Sequence, residues 1–346
     1  MKNKKILAMI IGVIVALVIG IVLFYHWGIS APSSQDEEVI VQIEQGSNAS
    51  TILNTLDEAG LVNNKLCGKI FLKLNSYDHL QANTYIFNKN MSLSKIYSIM
   101  NDPDSKYILQ SKLTIKEGNT IPQVAEAFAK ILGVSTDEVI KQWEDKDYLN
   151  SLINEYWFID KSILNNQLMY PLEGYLYPET YFVTGDEPNL KDMTKLALDM
   201  MDKKLTPYKE DIEKMGWSVH EFLSFVSVVE RESLFDKDRP EIAGVFMNRL
   251  KKGEKLQSDI TVNYALQRTG VNVSIKQTQV DSPYNTYRYA GLPIGAISTV
   301  SEKTIKDCIN YSHHDYFFFF AKEDGTVIYS KTYGEHKKAV KENKWY

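Results

Sequence analysis

The chain has 346 residues, 44% of them hydrophobic and 24% charged, which is room for a membrane anchor and two or three small soluble domains. A formal net charge of -5 argues against a nucleic-acid partner, because such proteins present a clustered basic surface. Two cysteines, Cys67 and Cys308, make neither a disulfide framework nor a Cys-x-x-Cys zinc spacing.

Residues 6–25 are apolar without a charge, the length of about 20 residues that a helix needs to cross a bilayer. Lys2, Lys4 and Lys5 precede the run, so residues 1–5 are expected in the cytoplasm and everything after the helix outside the cell. A cleaved signal peptide would have a shorter apolar core and a small-residue cleavage site. Residues 28–38 read as a linker of turn formers and acids.

Two similar segments follow. Val39–Ile43 alternates like a strand, then come Gly46 and Asn48, then a helical face of Ile52, Leu53, Leu56 and Ala59. Leu113–Ile115 also reads as a strand, followed by Gly118, Thr120 and a helical face of Ile121, Val124, Ala125 and Phe128. This strand, glycine turn, polar cap and helix unit resembles the opening of LysM-type glycan-binding modules. Residues 39–110 are therefore expected to form a LysM-like subdomain, and residues 111–346 a catalytic region.

Residues 137–166 look helical. The segment Tyr170-Pro-Leu-Glu-Gly174 to Tyr181 has prolines that exclude a continuous helix, and is expected to shape one wall of a cleft. Helices are expected over 189–204, 218–232, 238–252, 259–267 and 301–312, with a long loop over 282–299. Residues 316–321 and 326–330 read as a hairpin turning through Glu323-Asp324-Gly325, and a short polar helix closes the chain. The fold class is α+β: an N-terminal transmembrane helix, a LysM-like β-α module, and a mixed α+β catalytic domain with a small antiparallel sheet.

The helix at Ser218 opens with the capping box Ser218-Val-His-Glu221. Its apolar stripe, Val219, Phe222, Leu223, Val226 and Val229, continues to Glu230, whereas Arg231 points away and Glu232 falls off the stripe. Burial and a helix C-terminus both disfavour a charged carboxylate. An acid that keeps its proton is what glycosidic cleavage requires, since the leaving oxygen must be protonated. The alternative is an acid that reaches water or pairs with Arg239 or Arg249. The polar, aromatic and glycine-rich loops around Gln257, Ser258, Asp259, Tyr284, Asn285 and Tyr287 offer groups for sugar hydroxyls, or else serve as turns.

Val226-Ser-Val-Val-Glu230-Arg-Glu232, Val245-Phe-Met-Asn-Arg-Leu250, Leu256-Gln-Ser-Asp259, Tyr284-Asn-Thr-Tyr287 and Gly291-Leu-Pro-Ile-Gly-Ala-Ile297 occur in this order. Together with Tyr170-Pro-Leu-Glu-Gly174 and Tyr177-Pro178 they resemble the endolytic murein transglycosylase (YceG-like) family over nearly all of the chain after the anchor. The resemblance implies a single-pass membrane enzyme that cuts peptidoglycan glycan strands without water, leaving 1,6-anhydro ends and terminating nascent strands. It implies Glu230 as the acid/base residue and cell-wall synthases, the penicillin-binding proteins, as partners. Glu173, Gln257, Ser258, Asp259, Tyr284, Asn285 and Tyr287 are the candidate substrate-binding residues, and no metal or other cofactor is called for. A hydrolase using Asp259 or Glu173 as a second carboxylate, and a non-catalytic wall-binding scaffold, are the alternatives. A metallohydrolase built on His313, His314, Asp315 and His336 lacks the His-Glu-x-x-His motif, and no Gly-x-Ser-x-Gly elbow marks a serine hydrolase.

Overall fold

The structure is a computed structural model that describes residues 2–77, 79–103, 105–184, 188–233, 235–270 and 273–343. The chain divides into two compact units, residues 1–112 with 182–188, and residues 113–181 with 189–346.

The first unit opens with helix α1 (Lys2–Ile29). Its Met9–Ile29 stretch has a mean hydropathy of 2.7 and none of its hydrophobic window is buried by protein, which fits a single-pass anchor. Strand β1 (Glu38–Gln42), helices α2 (Ala49–Glu58) and α3 (Lys65–Leu74), and strand β2 (Thr84–Asn88) follow. The two strands pair antiparallel with Val41 opposite Tyr85. Between β1 and α2 the chain turns at Gly46, whose φ of +82° is costly for any residue with a Cβ. Asn48 then caps α2 by accepting bonds from the Ser50 and Thr51 amides. The expected face of α2 is the buried one: Ile52, Leu53 and Leu56 pack with Phe71, Tyr85, Phe87 and Tyr97. Helix α4 (Leu93–Met100) and strand β3 (Leu109–Thr114) lead into the second unit.

The segment read as a linker is bonded along its length. The Ser33 amide donates to the Lys89 carbonyl and the Lys89 amide to that of Glu37. The end of α1 is part of this unit too. Tyr25 and Ile29 pack against its core, and a Cβ at Gly28 would collide with Cys67.

The second unit is mainly helical. It contains α5 (Ile121–Leu132), α6 (Thr136–Trp143), α7 (Lys146–Glu155), α8 (Leu190–Leu205) and α9 (Lys209–Lys214), while strand β4 (Thr180–Thr184), which pairs with β3, belongs from Phe182 on to the first unit. The helix expected over 137–166 is broken because Asp145 stops α6 and caps α7, accepting from the Tyr148 amide at 2.8 Å. Residues 172–177, expected on a cleft wall, are all buried.

Helix α10 (Val219–Glu232) is the centre of the unit. The Ser218–Glu221 capping box starts it, and every residue from Phe222 to Glu230 is buried. A helix buried all round has no solvent face to orient it. Helices α11 (Arg239–Lys251), α12 (Asp259–Ala265) and α13 (Glu302–Ile309) pack against it. The expected hairpin forms as β5 (Phe318–Ala321) and β6 (Val327–Ser330), antiparallel with Ala321 opposite Val327, and α14 (Tyr333–Asn343) closes the described chain. The class is mixed α+β with small antiparallel sheets. Both cysteines are buried free thiols.

Candidate active site

The last turn of α10 carries two carboxylates in different surroundings. Glu230 has a side chain 4% exposed and is held by three donors. Arg239, at the start of α11, donates to Oε1 at 3.1 Å. Ser301, the cap of α13, donates to Oε2 through its amide at 3.0 Å and its hydroxyl at 2.9 Å. The carboxylate therefore satisfies the start of α13 while neutralising Arg239, which also pairs with Asp236 at 2.8 Å. Of the two arginines considered as partners, Arg239 is the one used. Arg249 instead donates to the carbonyls of Leu256 and Phe317, each at 2.6 Å.

Glu232 is only partly buried and accepts a bond from the Ser258 hydroxyl. Burial pushes its carboxyl up to about 7, and the nearby negative charge of Asp259 pushes the same way. The Ser258 bond and the Arg249 charge oppose them. Asp259 is itself raised by burial and accepts from the Tyr287 hydroxyl at 2.6 Å.

The 256–259 segment is fixed against the Tyr284–Tyr287 segment. The Gln257 amide donates to the Thr286 carbonyl at 3.1 Å, and the Ser258 amide to the Thr286 hydroxyl at 3.0 Å. Between them Gln257 sits exposed at a φ of +52°, a conformation that a non-glycine residue adopts at a cost of about 1–3 kcal/mol.

Of the residues nominated from the sequence, Ser258, Asp259 and Tyr287 lie near Glu232, and Gln257 adjoins Ser258 with its side chain toward Arg249. The rest have other employment. Tyr284 is buried, accepts from the Met169 amide at 3.2 Å and packs on Tyr264. Asn285 is wholly buried, donates to the carbonyls of Thr278 and Val280, and accepts from the Tyr287 amide. Glu173 accepts the Ile121 amide at the start of α5 and the Tyr264 hydroxyl, and burial pushes its carboxyl up to about 8. Those three side chains shape the loops and core, as turn chemistry and capping require, and present no free group to a sugar.

Sequence reasoning placed Glu232 off the apolar stripe and Arg249 only as a possible partner of Glu230, and gave neither a place in the site. The signal present was the spacing: two acids two residues apart on a helix must face different neighbours. Among the described residues no three His, Cys, Asp or Glu side chains converge as a metal site would need. His314 is occupied by backbone groups, bonding the Glu241 carbonyl at 3.0 Å and the Tyr316 amide at 3.1 Å.

Comparison with known proteins agrees with this architecture. The sequence profile of the YceG-like family matches residues 41–342. A Bacillus subtilis (strain 168) protein named endolytic murein transglycosylase is 32% identical over 326 residues, covering 93% of this chain and 90% of its own. A protein of the same name from Streptococcus pneumoniae serotype 2 is 32% identical over 322 residues, which are 88% of this chain and 58% of that longer one. The crystal structure of a YceG-like protein from Listeria monocytogenes superposes with a TM-score of 0.64 at 33% identity, covering 88% of this chain and all of that one. The chain belongs to the YceG-like family.

Proposed function

We propose that this protein is a lytic transglycosylase of the cell wall, held in the membrane by α1 with residues 1–5 in the cytoplasm and the rest outside. It cleaves the β-1,4 bond between N-acetylmuramic acid and N-acetylglucosamine within glycan strands and so ends their elongation. Family membership and the relatives' names support the reaction class.

The observation that carries the chemical reading is Glu232. Burial raises its carboxyl to about 7, and it lies partly buried beside Ser258 and the Asp259–Tyr287 pair, with the exposed Gln257 next in the chain to Ser258. Glu232 as acid protonates the glycosidic oxygen while the bond from C1 of the muramoyl residue breaks. The muramoyl 6-hydroxyl then attacks C1, and its proton goes to the Glu232 carboxylate. A 1,6-anhydro ring closes, no water is consumed, and the acid is restored. An intramolecular nucleophile lets one carboxyl serve both steps. Glu230, the residue that the family motif nominated, is the second reading for that role; its three contacts suit a structural brace better.

The β1-α2-α3-β2 arrangement supports a LysM-like subdomain over 39–110 that binds glycan, with 111–346 as the catalytic region. Penicillin-binding synthases are the expected partners, since strand termination must act where strands are made.

Digestion of purified peptidoglycan with the full-length protein, its Glu232→Gln variant and its Glu230→Gln variant, followed by mass spectrometry, tests the proposal. Internal fragments with 1,6-anhydromuramoyl ends that vanish in Glu232→Gln support it. Reducing ends carrying one added water mean a hydrolase. Loss confined to a folded Glu230→Gln returns the role to Glu230. No cleavage by any form favours a wall-binding scaffold.

A further inference from the structure

Helix α3 is buried on one side only, through Cys67, Gly68 and Phe71. Along an adjoining flank Leu66, Ile70 and Leu74, spaced four apart, are 63%, 41% and 69% exposed. Lys69 and Lys73 are exposed beside that row. Four-residue spacing puts the three apolar side chains in one line along the helix.

The place of this line in the fold identifies what covers it. Helix α3 packs on the last turns of α1: Cys67 Sγ donates to the Phe24 carbonyl, and the Asn64 amide to that of Gly28. The Asn63 side chain donates to the carbonyls of Trp27 and Ala31. Those contacts hold α3 beside the end of the apolar run, where exposed Trp27 marks the depth of an aromatic belt. At 1.5 Å per residue, the contacted residues of α1 span only about one turn, the depth of the headgroup boundary.

We propose that α3 is an in-plane membrane contact, its Leu66-Ile70-Leu74 row entering the acyl boundary and Lys69 and Lys73 meeting anionic headgroups. The apolar row lies on a helix packed against the end of α1, and the lysines match the charge of acidic phospholipids. The first unit then sits flat on the bilayer. The inference rests on α1 spanning that bilayer.

Both native cysteines are buried, so an introduced cysteine takes an environment-sensitive fluorophore. The full-length protein would be labelled at position 14, 54 or 74 and reconstituted into vesicles of phosphatidylglycerol and phosphatidylcholine containing spin-labelled lipid. Position 14 lies within α1, and position 54 is an exposed site on α2. The expected result is strong quenching and a blue-shifted emission at 14 and at 74, several-fold greater than at 54. Lys69→Glu with Lys73→Glu should lower the signal at 74 and leave that at 14. Quenching at 14 with none at 74 overturns the proposal while leaving the anchor intact. A blue shift at 74 without lipid quenching also overturns it, in favour of a protein covering the row. Absence of quenching at 14 removes the anchor, and with it the basis of the proposal.

Discussion

Glu230 and Glu232 stand two residues apart on the last turn of α10, and their carboxylates meet different partners. Glu230 faces Arg239 and the Ser301 cap of α13, whereas Glu232 faces Ser258 and the Asp259–Tyr287 pair. One braces three helices and the other lies partly buried beside the 257–259 segment. The two substitutions should therefore fail in different ways.

Glu230→Ala takes from buried Arg239 its buried partner and leaves it only the exposed Asp236, which should cost a sizeable part of the about 3–5 kcal/mol that breaking a buried pair costs. Ser301→Ala removes one bond to Glu230 and the α13 cap, at a cost of about 1–2 kcal/mol. Chemical denaturation should show both losses. A Glu230→Ala protein as stable as the wild type would contradict the brace.

Glu232→Gln should keep the fold and reduce cleavage by ~10²–10⁴-fold, the range for loss of a general acid. With the carboxyl pushed up to about 7, wild-type activity should decline as pH rises through that value, because the donor loses its proton. A rate that keeps climbing to pH 9 would remove Glu232 from the donor role.

Stability has its own pH dependence. Glu173 and Glu232 bind their protons more tightly in the native chain, at about 8 and about 7, than at the ordinary carboxyl value of 4.5. Below 4.5 both states are protonated and neither group opposes folding. As pH rises the unfolded chain ionises first, so stability falls until the native groups ionise near 7 and 8. Melting temperatures across this range should fall for the wild type and fall less for the Glu173→Gln, Glu232→Gln double variant.

Tyr287→Phe deletes the hydroxyl that lowers the Asp259 carboxyl, so Asp259 should titrate higher still. A bond to a charged group contributes about 1.5–3 kcal/mol, and the loss should appear chiefly in the pH profile of cleavage. An unchanged profile would place the pair outside the working site.

Gln257→Gly relieves a left-handed backbone, and should hold or raise the melting temperature by relieving about 1 kcal/mol. If the side chain contacts glycan, the same variant loses activity through a higher KM. A stable variant with unaltered KM would make Gln257 a turn residue only.

Much of the fold was legible because local chemistry announces itself. Gly46 and Gly118 turn with positive φ before capped helices, and Gly325 turns the β5–β6 hairpin. Ser218 starts α10 where its capping box stands. The choice between the two acids was not legible, because an apolar stripe orients a helix only when one side meets water, and α10 is buried all round from Phe222 to Glu230. Asn285 and Tyr284 read as sugar contacts because loop polarity looks the same whether it serves a ligand or the loop itself. The strain at Gln257 had no sequence sign at all, since no glycine marks it.

The division of the chain also bears on how such proteins are inherited. The backbone passes between the two units three times, after residues 112, 181 and 188. A recombination with one breakpoint cannot exchange the first unit whole, because residues 182–188 would stay behind with the old second unit. The anchor-proximal part is thus not a detachable module, and the two units are expected to diverge as a matched pair rather than be shuffled among unrelated proteins.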